Sequence, residues 1–251
     1  LGQVGGGGWT LPLVRGDYQM LVLPEPPVLE SEMDASLRWA LSSMIDYPIE
    51  QAAIAWMRIP TAEYDAKREK HVYVIVTRQS VVDEQAQLFA KANVALKAVD
   101  VRETALRNIA ALLEKKHEGL GLVTADASGV TTTFTFNGEL YLDRFIAQPL
   151  RDVLEDAERR QRFLDRIAQQ VYQSMEMLSR DFPFITVGRI VVGHVPGLDL
   201  VAHLRGKLPV AVEGLDLATV LDVTAAPDLR QPQMQSQYLV ALGAALRGCA
   251  Q

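Results

Sequence analysis

Leu120-Gly-Leu-Val-Thr124, Ala125-Asp-Ala-Ser-Gly129, Val130-Thr-Thr-Thr-Phe-Thr-Phe136, Asn137-Gly138 and Glu139-Leu-Tyr-Leu-Asp-Arg144 follow one another through the middle of the chain. The β-branched and aromatic runs predict three strands, at 120–124, 130–136 and 139–144. Asn137-Gly138 between the second and third predicts a tight type I′ turn, so the three form a meander. The turn at 125–129 sets a carboxylate and a glycine beside Ser and Thr hydroxyls. Such a turn can aim backbone amides at an anion, with glycine permitting close approach. Any meander needs turns of this composition, so the plain structural reading stands beside the phosphate-binding one.

Downstream, Thr186-Val-Gly-Arg-Ile-Val-Val192 reads as a buried strand running into Gly193-His-Val-Pro-Gly-Leu198 and a helix from Leu198 to Leu208. Between meander and strand lies a long helix from about Asp152 to Arg180, with Leu154, Phe163, Ile167, Val171, Met175 and Leu178 able to face inward. The final helix, Tyr238 to Gly248, is small and apolar nearly all round, which predicts packing on most of its sides.

Upstream, residues 17–77 read as strand, helix, strand, strand. Tyr18–Leu23 is a strand closed by Pro24, Pro26 and Pro27. Ser31 and Asp34 predict a capping box at the start of a helix. Met33, Leu37, Ala40, Leu41 and Met44 then form one apolar stripe. Strands follow at Ala52–Ile59 and His71–Thr77, separated by a polar loop from Thr61 to Lys70. A helix at Val81–Ala92, a strand at Ala95–Val101 and a helix at Thr104–Lys116 lead back to the meander. Strands alternating with helices make the chain α/β.

The 251 residues carry 25 Lys+Arg against 31 Asp+Glu, a net charge of −6, with 49% hydrophobic and 22% charged residues. These are globular proportions, and no basic patch marks a nucleic-acid binder. Arg159, Arg160 and Arg162 are interleaved with Glu155, Asp156, Glu158 and Asp165, which reads as a solvated helix face. No apolar run reaches the ~20 residues of a membrane span, and the N-terminus lacks the zones of a signal peptide. The single Cys249 excludes an internal disulfide and suits a reducing compartment, so a cytoplasmic location follows by elimination. The glycines at 5–8 read as a flexible junction. They are not a phosphate loop, because Trp9-Thr10 stands where a Lys-Ser/Thr pair belongs. His71, His117, His194 and His203 show no metal-ligand spacing, and Ser128 lacks the frame of a hydrolase elbow. Asp100, Asp126 and Asp143 sit on strands that can be neighbours, where salt-linked or turn-capping roles are commoner than a divalent-ion site. The expected metal set is none, and no residue is assigned a catalytic role.

The order of meander, long helix, strand, Gly-turn-helix and closing Ala/Gly-rich helix resembles the second half of the actin-like ATPase (ribonuclease H-like) fold, and more closely its PilM branch. Asp17-Tyr-Gln-Met-Leu-Val-Leu-Pro-Glu-Pro-Pro27, Leu37-Arg-Trp-Ala-Leu41, Met44-Ile-Asp-Tyr-Pro-Ile-Glu-Gln-Ala52, Ala98-Val-Asp-Val-Arg-Glu-Thr-Ala-Leu-Arg-Asn-Ile-Ala110 and Ala241-Leu-Gly-Ala-Ala-Leu-Arg247 are similar to the MshI family of mannose-sensitive haemagglutinin (MSHA) pilus biogenesis, itself PilM-like. The match touches nearly all of the chain from about residue 9. It implies a two-lobed plan. Residues 1–16 would be a flexible junction, 17–78 an inserted PilM-type subdomain, 79–118 the rest of the first lobe and 119–251 the second lobe.

Carried over residue by residue, the resemblance implies a nucleotide cleft at Asp126, Ser128, Gly129, Thr131, Thr132, Gln170, Gly193 and Gly197. The chain departs from the family pattern at each element. Ser128 stands where a glycine is expected. His194 interrupts the glycines of the adenosine turn. Gln170, Tyr172, Gln173 and Ser174 replace the Glu and Gln-Arg-Ser of the long helix. The Asp-x-Gly hairpin that holds the terminal phosphates and metal would precede Trp9 and is not in these residues. The expectation is therefore a degenerate cleft with no cofactor, ATP with magnesium being at most weakly held, in a protein that is not an ATPase. The implied partner is the cytoplasmic tail of a PilN-like (MshJ-like) inner-membrane pilus assembly protein. That tail would dock between the first lobe and its inserted subdomain on Trp39, Tyr47, Val72 and Val74. Trp39 could equally be a core residue. Membrane recruitment would come through the partner, without insertion and without nucleic acid, and a homodimer stays open. The rival expectations are an active ATPase of the same fold and the cytoplasmic part of a GspL-like type II secretion protein. The ending at Arg247-Gly-Cys-Ala-Gln251 favours a free-standing protein over the latter.

Overall fold

A computed structural model describes residues 8–61 and 69–247. Glycines 5–7, most of the polar loop at 61–70 and Cys249 lie outside the described residues. The chain divides into two compact units, the first ending at Arg102 and the second beginning at Glu103.

In the first unit, strands β1 (Trp9–Pro12), β2 (Tyr18–Pro24), β3 (Ala52–Ile59), β4 (His71–Arg78) and β5 (Leu96–Asp100) are joined by helices α1 (Met33–Leu41) and α2 (Gln79–Lys91). β2, β4 and β3 form an antiparallel sheet in that order, and β1 pairs with β5 in parallel. β4 is central, which explains its nearly continuous apolar sequence. Val72, Val74 and Val76 lie under α1, whose Met33, Leu37 and Leu41 recur at four-residue spacing and are all buried. Burial of that stripe contributes on the order of 1.5–3 kcal/mol per large side chain. Polar groups fix the helix in place. The Arg38 guanidinium donates to the carbonyls of Ile49 and Ala52, each at 3.2 Å, and the Trp56 indole N–H donates to Asp34 at 2.9 Å.

The entry to α1 differs from the sequence expectation. A 3-10 turn spans Glu30–Glu32, and the Glu32 carboxylate accepts the N–H of Leu29 at 3.4 Å. The helix's own N-cap, Glu32, makes no side-chain cap, so Ser31 does not open a capping box. Helix α1 ends at Leu41, which leaves Met44 outside the stripe and exposed.

Apart from its first residue, α3 (Arg102–Leu113) belongs to the second unit. The meander follows as β6 (Gly119–Asp126), β7 (Gly129–Phe136) and β8 (Glu139–Ala147). Next come α4 (Leu150–Leu154), α5 (Ala157–Asp181), β9 (Val187–Val192), α6 (Leu200–Arg205), β10 (Ala211–Gly214) and α7 (Pro232–Ala245). The sheet order is β10-β9-β6-β7-β8, with β6, β9 and β10 parallel and the meander antiparallel. The Asn137-Gly138 turn has φ of 52° and 75°, the left-handed pair that a type I′ turn requires. Leu120, Leu122 and Val191 pack on one face of the sheet against Leu106 and Ile109 of α3 and Leu239 of α7.

Two helices depart from the sequence reading. The long helix is broken, because Asp156 adopts extended backbone and caps α5 by accepting the N–H of Arg159 at 2.8 Å. Helix α7 begins six residues earlier than expected, at Pro232, whose missing N–H costs nothing in a first turn. It buries only one side, with Gln235, Leu239, Gly243 and Ala244 inward, while Tyr238, Ala241 and Ala245 are exposed. Its small residues serve a close helix crossing instead. A Cβ at Gly243 would run into the backbone of Ala105, and the Gly243 carbonyl accepts the Asn108 side-chain N–H at 2.9 Å.

Candidate functional site

The turn between β6 and β7 is built on Asp126. Its Oδ1 accepts the backbone N–H of Ser128 at 2.7 Å, the Ser128 hydroxyl, and the N–H of Gly129 at 3.2 Å. This is an Asx turn closed by its own carboxylate. The two amides that would cradle a phosphate already have an anionic acceptor. Gly129 is required for a different reason from ligand approach: a Cβ there would collide with the carbonyl oxygen of Ile146 on β8. The geometry thus accounts for Asp126, Ser128 and Gly129 as structure.

The other sequence-derived cleft residues are scattered over the second unit. Thr131 and Thr132 are wholly buried within β7. They are register partners of Thr124 and Val123 on β6. Gln170 on α5 is half-buried, with a buried Oε1 that meets no hydrogen-bond donor. Gly193 follows β9, donates its N–H to the Val123 carbonyl at 2.8 Å and lies beside Ser236 of α7. Gly197, at φ of 78°, turns the chain back toward Leu154. Among the described residues no group of three or more His, Cys, Asp or Glu is placed to hold a metal ion. Each carboxylate considered for such a role is engaged locally. Asp143 accepts the Thr133 hydroxyl at 2.8 Å, and Asp100 accepts the Val101 N–H at 2.8 Å.

The first unit carries a groove of its own. A cavity of about 350 Å³ lies between the start of β2 and the loop after α1, lined by Asp17, Gln19, Asp46, Tyr47, Val76 and Arg78 among others. The Arg78 guanidinium sits over the Tyr47 ring at 4.1 Å and reaches Asp46 at 3.4 Å. Burial raises the Tyr47 phenol above its ordinary value, with the Arg78 charge opposing that shift and Asp46 adding to it. A ring, a cation and two carboxylates around an open hollow can receive an extended peptide by both apolar and polar contact.

Of the four residues expected to meet a partner, this cavity takes in Tyr47 alone. Trp39 is 81% exposed on the outer side of α1, which excludes the core reading. Val72 and Val74 are 0% exposed and sit on the central strand, with β2 and β3 pairing its two edges. They form part of the core under α1, because on this central strand both are buried and both edges are paired. Arg78 and Asp46 were missed by the sequence reading. Their signal was a lone cation closing the apolar run His71–Thr77, and its acidic partner lies too far along the chain to pair by inspection.

By its fold the chain is an actin-like ATPase-fold protein of the PilM-like form. It is similar to a chain of the PilM–PilN type IV pilus biogenesis complex, with 19% identity, 92% of this chain and 76% of that chain covered, and a TM-score of 0.67. Two further solved structures resemble it more loosely. One is a Bacteroides thetaiotaomicron protein of actin-like ATPase fold and unknown function (10% identity, 84% and 69% covered, TM-score 0.46). The other is the cytoplasmic domain of EpsL, an inner-membrane component of the Vibrio cholerae type II secretion system (10% identity, 96% and 78% covered, TM-score 0.48). No family model and no curated protein matches the chain. No helix among the described residues is long and apolar enough to cross a membrane.

Proposed function

We propose that this chain is a cytoplasmic scaffold of type IV pilus assembly, of the MSHA type and similar to MshI. It binds the cytoplasmic tail of a PilN-like, MshJ-like inner-membrane protein and is held at the membrane by that partner. The observation that carries the reading is the likeness in fold to a chain of the PilM–PilN complex over 92% of this chain. Within the first unit, the hollow around Tyr47 and Arg78, with Trp39 exposed on α1, supplies the apolar and polar contacts a tail would use. The nucleotide site is degenerate in this reading. Phosphoryl transfer depends on positioned donors and metal, and here Asp126 occupies the amides of its own turn.

Copurification tests the proposal. The tagged chain, isolated from detergent-solubilised membranes of its native host, is expected to bring down a PilN-like pilus protein. Recovery without any inner-membrane pilus component would end the scaffold reading. Titration with Mg-ATP in a calorimeter is expected to give no micromolar binding, and turnover would restore the ATPase alternative.

A further inference from the structure

The arginines of the first half of α5 are not spread evenly around the helix. Arg159, Arg162 and Arg166 fall at i, i+3 and i+7, a single stripe at 3.6 residues per turn. They line one wall of an open cavity of about 380 Å³, whose other wall is Gln148, Asp152 and Val153, with buried Phe163 at its floor. The frame is rigid where it needs to be. Arg160, on the neighbouring face, donates to the Leu154 carbonyl at 2.6 Å and so ties the end of α4 to α5.

The carboxylates around the cavity are few, and those outside its lining are held in local contacts at the start of α5. Asp152 faces Arg151 at 3.4 Å. Asp156 accepts the Arg159 amide N–H at 2.8 Å, and with the Arg159 and Arg162 charges nearby this holds its carboxyl below the ordinary value. Glu158 meets Arg162 at 3.3 Å in a pair whose side chains are 68% and 85% exposed. An exposed helical pair of that kind contributes little and exchanges readily for another anion. The lining therefore sets three cations against one carboxylate, in a chain whose net charge is −6.

We propose that this groove between α4 and the first half of α5 is a docking site for an extended acidic peptide segment of a partner protein, held by Arg159, Arg162 and Arg166. The spacing selects the occupant. Seven residues of helix rise about 10 Å, too far for one phosphate to meet both ends of the stripe but suited to successive carboxylates of a strand-like chain. Guanidinium forks also take carboxylates two-handed, and an open groove admits a chain that enters and leaves.

The test is fluorescence anisotropy of a labelled ten-residue oligoglutamate with the whole chain, at low salt and at physiological ionic strength. Saturable binding that weakens as salt rises is expected, and Arg159→Ala/Arg162→Ala/Arg166→Ala should lower the affinity at least tenfold. Arg58→Ala and Arg180→Ala, elsewhere on the surface, should leave it unchanged. No binding by the unmodified chain, or equal losses in the control variants, would overturn the proposal. So would displacement of the peptide by inorganic triphosphate at lower concentration than by unlabelled oligoglutamate, which would make the site one for a compact anion.

Discussion

Asp126 Oδ1 stands 2.7 Å from the backbone nitrogen of Ser128, the amide that a phosphate-binding turn would have to offer to its ligand. With the Ser128 hydroxyl and the Gly129 amide on the same oxygen, the turn is complete without a guest. Asp126→Ala is expected to lower stability by about 1–2 kcal/mol, the range for donors stripped of a charged acceptor. Asp126→Asn should recover part of that, since its amide oxygen still accepts. Chemical denaturation of the three proteins measures the series. A loss-free alanine variant would mean that the amides find water as readily as the carboxylate.

The same turn bears on nucleotide. A ligand that binds only the folded state raises the melting temperature by mass action. Millimolar Mg-ATP is therefore expected to leave the melting temperature of the unmodified chain unchanged within a degree. A rise of several degrees would require the phosphates to compete successfully with Asp126.

Gly243 packs directly on the Ala105 backbone, and its substitution separates packing from backbone propensity. Gly243→Ala places a methyl group against the Ala105 backbone and should cost about 2–3 kcal/mol through overpacking. Gly206, after α6, has a negative φ of −80°, and a methyl group added there would stand 3.7 Å from its nearest neighbour, the His203 carbonyl oxygen. Gly206→Ala is accordingly expected to be neutral or slightly stabilising. Urea midpoints of the two variants should move in different directions or by clearly different amounts.

Much of this architecture is legible in sequence where a local rule has one solution. The Asn137-Gly138 dipeptide forces its turn, and the alternating and continuous apolar runs give β3, β4 and the meander within a few residues. The readings that failed are those where one composition serves two structures. Asp156 can sit inside a helix or cap one, and only the chain path after α4 decides. The Ala and Gly residues of α7 suit burial on all sides or one close crossing, and the structure uses the crossing at Ala105. The candidate site suffers most from this. A carboxylate, a serine and a glycine on a turn have the same letters whether they face a phosphate or each other. Val72 and Val74 look like a groove wall until the strand order puts them at the centre of a sheet.

Trp39 presents a large apolar surface on a helix whose opposite face packs on the β2–β4–β3 sheet. Removing it should leave the melting curve within about 0.5 kcal/mol of the unmodified protein, as for exposed positions generally. If it anchors the partner tail, Trp39→Ala should weaken tail binding at least tenfold, the scale of an interface tryptophan. A binding assay with the PilN-like tail peptide, run beside the melting curve, checks both halves. Unchanged affinity would move the docking surface away from α1.

Glu114 gives a pH-dependent prediction. Its Oε2 accepts the Gly138 N–H at 2.8 Å, and the carboxyl lies against the Thr135 hydroxyl. Burial raises the carboxyl above its ordinary value, and the hydrogen bonds it accepts only partly oppose the shift. A group whose pKa is raised by folding favours the native state most below its unfolded pKa of about 4.3. That contribution fades as pH climbs through the raised folded value. The site therefore disfavours the ionised acid increasingly as pH rises. Glu114→Gln keeps an oxygen for Gly138 and removes the charge, so it should be about as stable as the parent near pH 4. At pH 7 it should be the more stable of the two. Urea unfolding of both proteins across that range measures the gap. A gap that closes as pH rises would mean that Glu114 is stabilised as the anion, with Thr135 and Gly138 outweighing its burial.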